Sequence, residues 1–304
     1  MEFLLVAHDA GGAELVSSWA RRHPENKYTC LLGGPAEAIF RKKGASFATL
    51  DPEAMPSAMP GMDFVLTATS ASSRLETSAL DCARRNKVRS AAFLDYWWGF
   101  KTRFERDESL HLPDELWVAD EYARRMAEET FPDLPVVLQG NPYLADMADE
   151  KRKFPPRAHA VDGLSILYLC QPINEAHADG NGAKTLVNDV AALRYFLELA
   201  GTRLPHPGIP LRVRIRLHPS ESGEKYAGLA REFPGIPITI SGYAGLVEDL
   251  ANADWAIGLY TMALVVAVYL GTPAFACLPP GARPLSRVLP FEEIRDFHTL
   301  LTPL

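Results

Sequence analysis

Five short runs in this 304-residue chain carry residue types suited to acid–base work or to holding an anion. The first is His8-Asp9-Ala10-Gly11-Gly12. His8 and Asp9 are candidates for an acid, a base or contacts to sugar hydroxyls. Gly11 and Gly12 would let a ligand approach backbone N–H groups at a helix N-terminus, which favours anions, so both are candidates for a phosphate or sugar loop. The order is not the GxGxxG dinucleotide turn, and a tight strand-to-helix connection that binds nothing accounts for the glycines equally well. The second run is Asp95-Tyr96-Trp97-Trp98-Gly99-Phe100. Partial burial among rings can raise a carboxyl toward working pH, which makes Asp95 a candidate general base. Trp97 and Trp98 fit core or interface better than a platform for a sugar, and Asp95 has the alternative of capping the segment after it.

The other three runs are in the second half. In Arg216-Leu217-His218-Pro219-Ser220, Pro219 stops a strand and holds His218 extended, so the imidazole can meet a phosphate or a base with Arg216 nearby to neutralise it. Ser241-Gly242-Tyr243 opens a loop of the kind that touches a nucleobase. Gly258-Leu259-Tyr260-Thr261-Met262 precedes an apolar helix, whose first N–H groups and the Thr261 hydroxyl make an anion site. Thr261 as a plain N-cap is compatible with that role.

The elements that must position these runs alternate apolar segments with amphipathic ones, the pattern of a parallel sheet covered by helices. In the first half, strands are expected at 3–7, 28–32, 64–68, 90–94 and 115–118, and helices at 36–43, from 74 to about 86, and at 121–129, with another carrying Leu15, Val16, Trp19 and Ala20 on one face. The charged, proline-bearing stretch 146–162 suits a solvated linker. Strands at 164–170, 211–217, 237–240, 255–258 and 274–278 follow, with helices at 185–200, 246–251 and 262–269, the last apolar all round and therefore buried. A terminal helix is expected at 291–301, with the option of crossing back to the first half. The reading is α/β, two Rossmann-like domains facing across a cleft: residues 1–147, a linker at 148–163, and a nucleotide-sugar-binding domain at 164–304.

Composition is that of an ordinary folded protein, 47% hydrophobic and 23% charged. A formal charge of −7 leaves no surplus of Lys and Arg for a polyanion, so nucleic acid is a poor partner. Cys30, Cys82, Cys170 and Cys277 are scattered without CxxC spacing, which suggests buried thiols and neither disulfides nor zinc. The N-terminus reads as a strand rather than a signal peptide, and the apolar stretch 262–270 is too short to span a bilayer. The expectation is a cytoplasmic protein, with peripheral membrane association left open.

His218-Pro219, the Gly258-Leu259-Tyr260-Thr261 turn and Leu270-Gly271-Thr272-Pro273 together resemble the C-terminal half of GT-B-fold glycosyltransferases, closest in look to bacterial sialyltransferase-like and capsule-polysaccharide enzymes. The resemblance covers about a third of the chain. It implies that His218 and Pro219 contact the nucleotide of a CMP-sugar and that Thr261 holds its phosphate. Two departures stand out. Residues 262–267 lack the glutamate of many retaining GT-B transferases, and the acidic motif of the sialyltransferase type is absent, Leu94-Asp95-Tyr96-Trp97 being the nearest analogue by position.

The expectation that follows is a glycosyltransferase, inverting and independent of metal or cofactor, moving a sugar such as a nonulosonic acid from a nucleotide donor to a surface glycan or protein. Asp95 or Asp9 would take the acceptor proton, while His218, Arg216 and the N-terminus at Met262 would hold the departing phosphate. Two alternatives stay open. One is a nucleotide-sugar hydrolase or epimerase on the same fold, in which His8 stands near the catalytic histidine of such hydrolases. The other is a non-catalytic nucleotide-binding subunit of a glycan-assembly system.

Overall fold

A computed structural model describes residues 1–43, 47–155, 163–171, 188–204, 210–218, 221–279 and 291–301. The chain divides into two compact units, Met1–Asp146 and Met147–Leu304.

The first unit runs β1 (Glu2–Ala7), α1 (Ala10–Arg22), β2 (Lys27–Leu32), α2 (Pro35–Lys42), β3 (Ala48–Thr49), α3 (Met55–Ala58), β4 (Phe64–Thr67), α4 (Leu75–Asn86), β5 (Arg89–Leu94), α5 (Phe100–Phe104), a small hairpin of β6 (Glu105–Arg106) and β7 (Ser109–Leu110), β8 (Glu115–Val118), α6 (Glu121–Thr130), β9 (Val136–Leu138) and the first half of α7 (Pro142–Lys151), the helix in which the division falls. Seven strands form one parallel sheet in the order β3-β2-β1-β4-β5-β8-β9. Its central strands are apolar runs because both faces are covered. Phe3, Leu5 and Ala7 point to the side holding Trp19, Phe40, Phe93 and Trp117, while Leu4 and Val6 point to the side holding Met55, Met59, Val65 and Cys82. Rings tie the first layer together, Phe3 lying 5.4 Å from Trp19 and 5.3 Å from Phe64.

The second unit follows with β10 (Leu164–Leu169), α8 (Asp189–Arg203), β11 (Leu211–Arg216), α9 (Leu229–Glu232), β12 (Ile238–Ile240), α10 (Leu246–Ala251), β13 (Trp255–Gly258), α11 (Met262–Tyr269), β14 (Ala274–Ala276) and β15 (Ile294–Asp296). The six strands make a second parallel sheet, ordered β12-β11-β10-β13-β14-β15. Ile166, Tyr168, Val213, Ile215 and Phe275 meet Leu193, Phe196 and Leu197 of α8 in its core. In α11, Leu264, Val265, Val266 and Ala267 are buried as an all-apolar helix requires, whereas Met262 and Tyr269 at its ends are exposed. All four cysteines are buried and free. Among the described residues no helix is long and apolar enough to cross a membrane.

Several local expectations are corrected. The linker read from 148 begins inside α7: Asp149, Glu150 and Lys151 are its last residues, Asp149 pairs at 2.7 Å with Arg152 just past the helix end, and Leu144 is buried. The tail at 291–301 is not one helix: a strand at Ile294–Asp296 comes first and a single 3-10 turn at Phe297–Leu300 follows. It adds β15 to the sheet edge, then makes a tight turn in which Asp296 accepts the N–H of His298 at 2.9 Å and Phe297 is buried against Phe196 and Phe275. The helix expected from 185 begins at Asp189 with Asn188 as its cap, and 185–187 lie outside the described residues. Edge strands β3 and β9 had no counterpart in the sequence reading.

Candidate functional site

In an open parallel sheet, ligands bind beyond the carboxyl ends of the strands where the strand order reverses. In the first sheet that point lies at β1 and β4, since β1 pairs with β2 on one side and with β4 on the other. His8 and Asp9 follow β1, Thr69 and Ser70 follow β4, and Asp95 follows β5.

His8 and Asp9 engage each other. The His8 ring nitrogen Nδ1 lies 2.8 Å from Asp9 Oδ1, and Asp9, although the N-cap of α1, makes no side-chain hydrogen bond to the helix. The imidazole lies over Gly33 and Gly34, where any Cβ at Gly34 would come within 2.8 Å of Nε2. Gly34 has a φ of +52°, which glycine adopts without strain. Both backbone groups of His8 are also tied: its N–H donates to Glu76 Oε1 at 2.8 Å and its carbonyl accepts from Ala36 at 3.2 Å. Burial pushes the Glu76 carboxyl above its ordinary value, against the pull of its own N–H, that of His8, and the Ser73 hydroxyl.

Gly11 and Gly12 belong to the first turn of α1 rather than to a loop. A Cβ on Gly12 would strike Ala68 at 2.5 Å, so this glycine lets the helix lie on the connection after β4. A Cβ on Gly11 would come within 2.5 Å of Asp95 Oδ2. A carboxylate therefore sits against the first turn of α1, the part of the helix to which a phosphate would also be drawn. Asp95 is itself engaged: Arg103 Nη1 lies 2.5 Å from Oδ1 and donates to Thr69 Oγ1 at 2.7 Å, and Thr69 donates to Asp95 at 3.3 Å. Only 11% of the Asp95 side chain and 14% of Arg103 is exposed. Burial raises the Asp95 carboxyl, with Arg103 the strongest opposing influence. Trp97 is buried and donates to Asp120 at 2.8 Å, as core would, whereas Trp98 is 38% exposed.

The second sheet reverses its order at β10 and β13. Gln171, just beyond β10, accepts the N–H of Tyr260 at 3.3 Å, and Gly258 lies so near Leu169 that a Cβ would be 3.1 Å from its carbonyl. Thr261 is the N-cap of α11 and its hydroxyl accepts from Ala263 at 3.4 Å. The first turn of α11 holds no acidic residue, and Met262 is exposed at its start. Burial raises the Tyr260 hydroxyl, with Asp296 adding to it. His218 is exposed, and its N–H donates to Glu221 at 2.9 Å. Glu221 also takes Lys225 and, at 3.1 Å, the Tyr226 hydroxyl. Pro219 lies outside the described residues.

Arg216 and Ser241 have a different employment. Both converge on Asp249 of α10, each at 2.6 Å, and Asp249 is 0% exposed. Arg214, 3.5 Å from the same carboxylate, completes a buried charge cluster that ties α10 to β11. A cavity of about 1550 Å³ in the second unit opens at the other end of this sheet, beside Leu164, Leu211, Trp255 and Pro273 at the starts of strands. It is remote from the strand ends where the strand order predicts a ligand.

Sequence reasoning passed over Glu76, Arg103 and Thr69. Ser73-Arg74-Leu75-Glu76 has the spacing of a helix capping box, but the cap residue of α4 is Arg74, and the Ser73 hydroxyl accepts the N–H of Leu75 at 2.9 Å from one residue farther out. The glutamate meets the Ser73 hydroxyl and also reaches the N–H of His8.

No protein-family model matches the chain, and the search of curated proteins gives no match. Solved structures do resemble it. The UDP-GlcNAc 2-epimerase from Neisseria meningitidis bound to UDP-GlcNAc aligns with a TM-score of 0.58 and 14% identity, over 91% of this chain and 82% of that one. MurG from Acinetobacter baumannii aligns with 0.58 and 14%, over 93% and 80%. The UDP-GlcNAc 2-epimerase from Methanocaldococcus jannaschii aligns with 0.56 and 12%, over 91% and 83%. These likenesses, with two parallel-sheet α/β domains, show the GT-B fold.

Proposed function

We propose that this protein is a nucleotide-sugar enzyme, a metal-independent inverting glycosyltransferase that takes a sugar from a uridine diphosphate donor and places it on a hydroxyl of a glycan or protein acceptor. The observation that carries the reading is the His8–Asp9 hydrogen bond of 2.8 Å at the carboxyl end of β1. An imidazole that gives its Nδ1 hydrogen to a carboxylate keeps the Nε2 lone pair for a proton, and the carboxylate steadies the imidazolium that forms. Nε2 takes the acceptor's hydroxyl proton as that oxygen attacks the anomeric carbon. The bond from that carbon to the phosphate oxygen breaks on the opposite face, and the nucleoside diphosphate leaves with the electron pair. Within the second unit, Thr261 and the first N–H groups of α11 are the candidate holders of a phosphoryl group, with His218 beside the same sheet edge. Asp95, paired with Arg103, keeps phosphate away from α1 and is no longer the preferred base.

A uridine carrier replaces the cytidine one implied by the sialyltransferase resemblance, supported by the UDP-GlcNAc held by the Neisseria epimerase. A second reading, a UDP-sugar epimerase or hydrolase, draws support from the epimerase likeness over 91% of the chain. Incubation with UDP-GlcNAc separates them. Sugar transferred only when an acceptor is present supports the first, and an epimer or free sugar without acceptor supports the second. Absence of a thermal shift with UDP, CMP, GDP and their sugars contradicts both.

A further inference from the structure

The last residue of β1 with a ladder partner is Ala7, which faces Leu32 of β2. The N–H of His8 therefore emerges where the sheet no longer supplies an acceptor, and an unmet N–H there would be costly. Glu76, from the start of α4, supplies it, 68 residues away in sequence. Its side chain is 3% exposed, so water does not compete for the bond. Asp9 fixes the ring, Ala36 the carbonyl and Glu76 the N–H, while Gly34 leaves room for the imidazole. A carboxylate serving only its own helix start would be ordinary; this one, besides its own N–H and the Ser73 hydroxyl, reaches across to the N–H at the strand end beside the proposed base.

We propose that Glu76 is a positioning residue for the His8–Asp9 pair, its buried carboxylate clamping the His8 backbone so that Nδ1 meets Asp9 and Nε2 is presented as the proton acceptor. The inference rests on the reading of His8 as the base. It acts through His8 and does not touch substrate. Two substitutions separate reach from charge. Glu76→Gln keeps a carbonyl oxygen at the same distance, whereas Glu76→Asp keeps the charge and withdraws it by one methylene.

The test is imidazole ¹⁵N NMR on the full chain without ligand, with the His8 signals assigned by their loss in His8→Gln. Wild type and Glu76→Gln are expected to show one tautomer, protonated at Nδ1 and bare at Nε2, and Glu76→Asp a mixture of the two. A wild-type pattern in Glu76→Asp, or a mixture in Glu76→Gln, overturns the proposal. Should Glu76→Asp not fold, hydrogen exchange of the His8 amide reads the clamp in wild type and Glu76→Gln. Protection of about 100-fold or more over an open chain in both supports it, and exchange at open-chain rates in either overturns it. Neither readout needs a substrate, so failure of the nucleotide-sugar reading would appear separately, as absent ligand shifts with an intact tautomer.

Discussion

The carboxyl edges of the two sheets have the same topology and opposite chemistry. Around the reversal point of the first stand Asp9, Glu76 and Asp95, with Asp95 pressed against the first turn of α1. At the second, the corresponding turn offers Gln171, Tyr260 and the Thr261 cap; the first turns of α1 and α11 both lack acidic residues, so the difference lies in the carboxylates that neighbouring elements bring. The contrast teaches that a shared architecture does not assign the ligand. A carboxylate-lined edge suits hydroxyls and protons, and an edge of N–H groups suits the phosphoryl group.

The comparison breaks most visibly at His8. His8→Ala is expected to lower turnover by about 10²–10⁴-fold, the usual contribution of a general base, with the thermal shift given by UDP unchanged. A lost UDP shift would move the nucleotide to the first unit. Next in size is Arg216→Ala, expected to destabilise the second unit by roughly 3 kcal/mol in urea unfolding, because Asp249 stays buried with a weakened set of partners. Unchanged stability with weaker UDP binding would return Arg216 to the phosphate. Thr261→Ala should cost about 1 kcal/mol as a lost cap and weaken UDP binding, leaving the His8 tautomer unaltered.

The smallest effect concerns pH. Glu76 is raised in the folded state, so between its unfolded value of about 4.3 and its higher folded value the native state binds more protons, and stability falls as pH rises through that window. Glu76→Gln should flatten that part of a urea-midpoint profile. An unaltered slope would mean that the burial of Glu76 is not felt in stability.

Much of this frame is legible in the sequence for a physical reason. Strands covered on both faces must be apolar throughout, which is why the segments at 3–7, 64–68 and 255–258 stand out. Edge strands of two or three residues such as β3 and β9 leave no such trace, and the charge run at 149–152 reads as a linker until a helix puts it on a wet face. Within the site, the candidates at strand ends were visible as positions but their partners were not. Arg212, Arg214 and Arg216 alternate with Val213 and Ile215, so a face of arginines was evident. That Asp249 of a later helix would bury itself beneath two of them depends on packing that neither spacing nor composition records. Likewise Asp95 lies eight residues from Arg103 across a turn with no period to reveal the pair.

The most direct test of the account is a titration of the full chain with UDP followed through backbone amide NMR. The account predicts shifts at Tyr260, Thr261, Met262 and Ala263 and none at Gly11 or Gly12. Shifts concentrated at Gly11 and Gly12, with the amides before α11 unmoved, would contradict it.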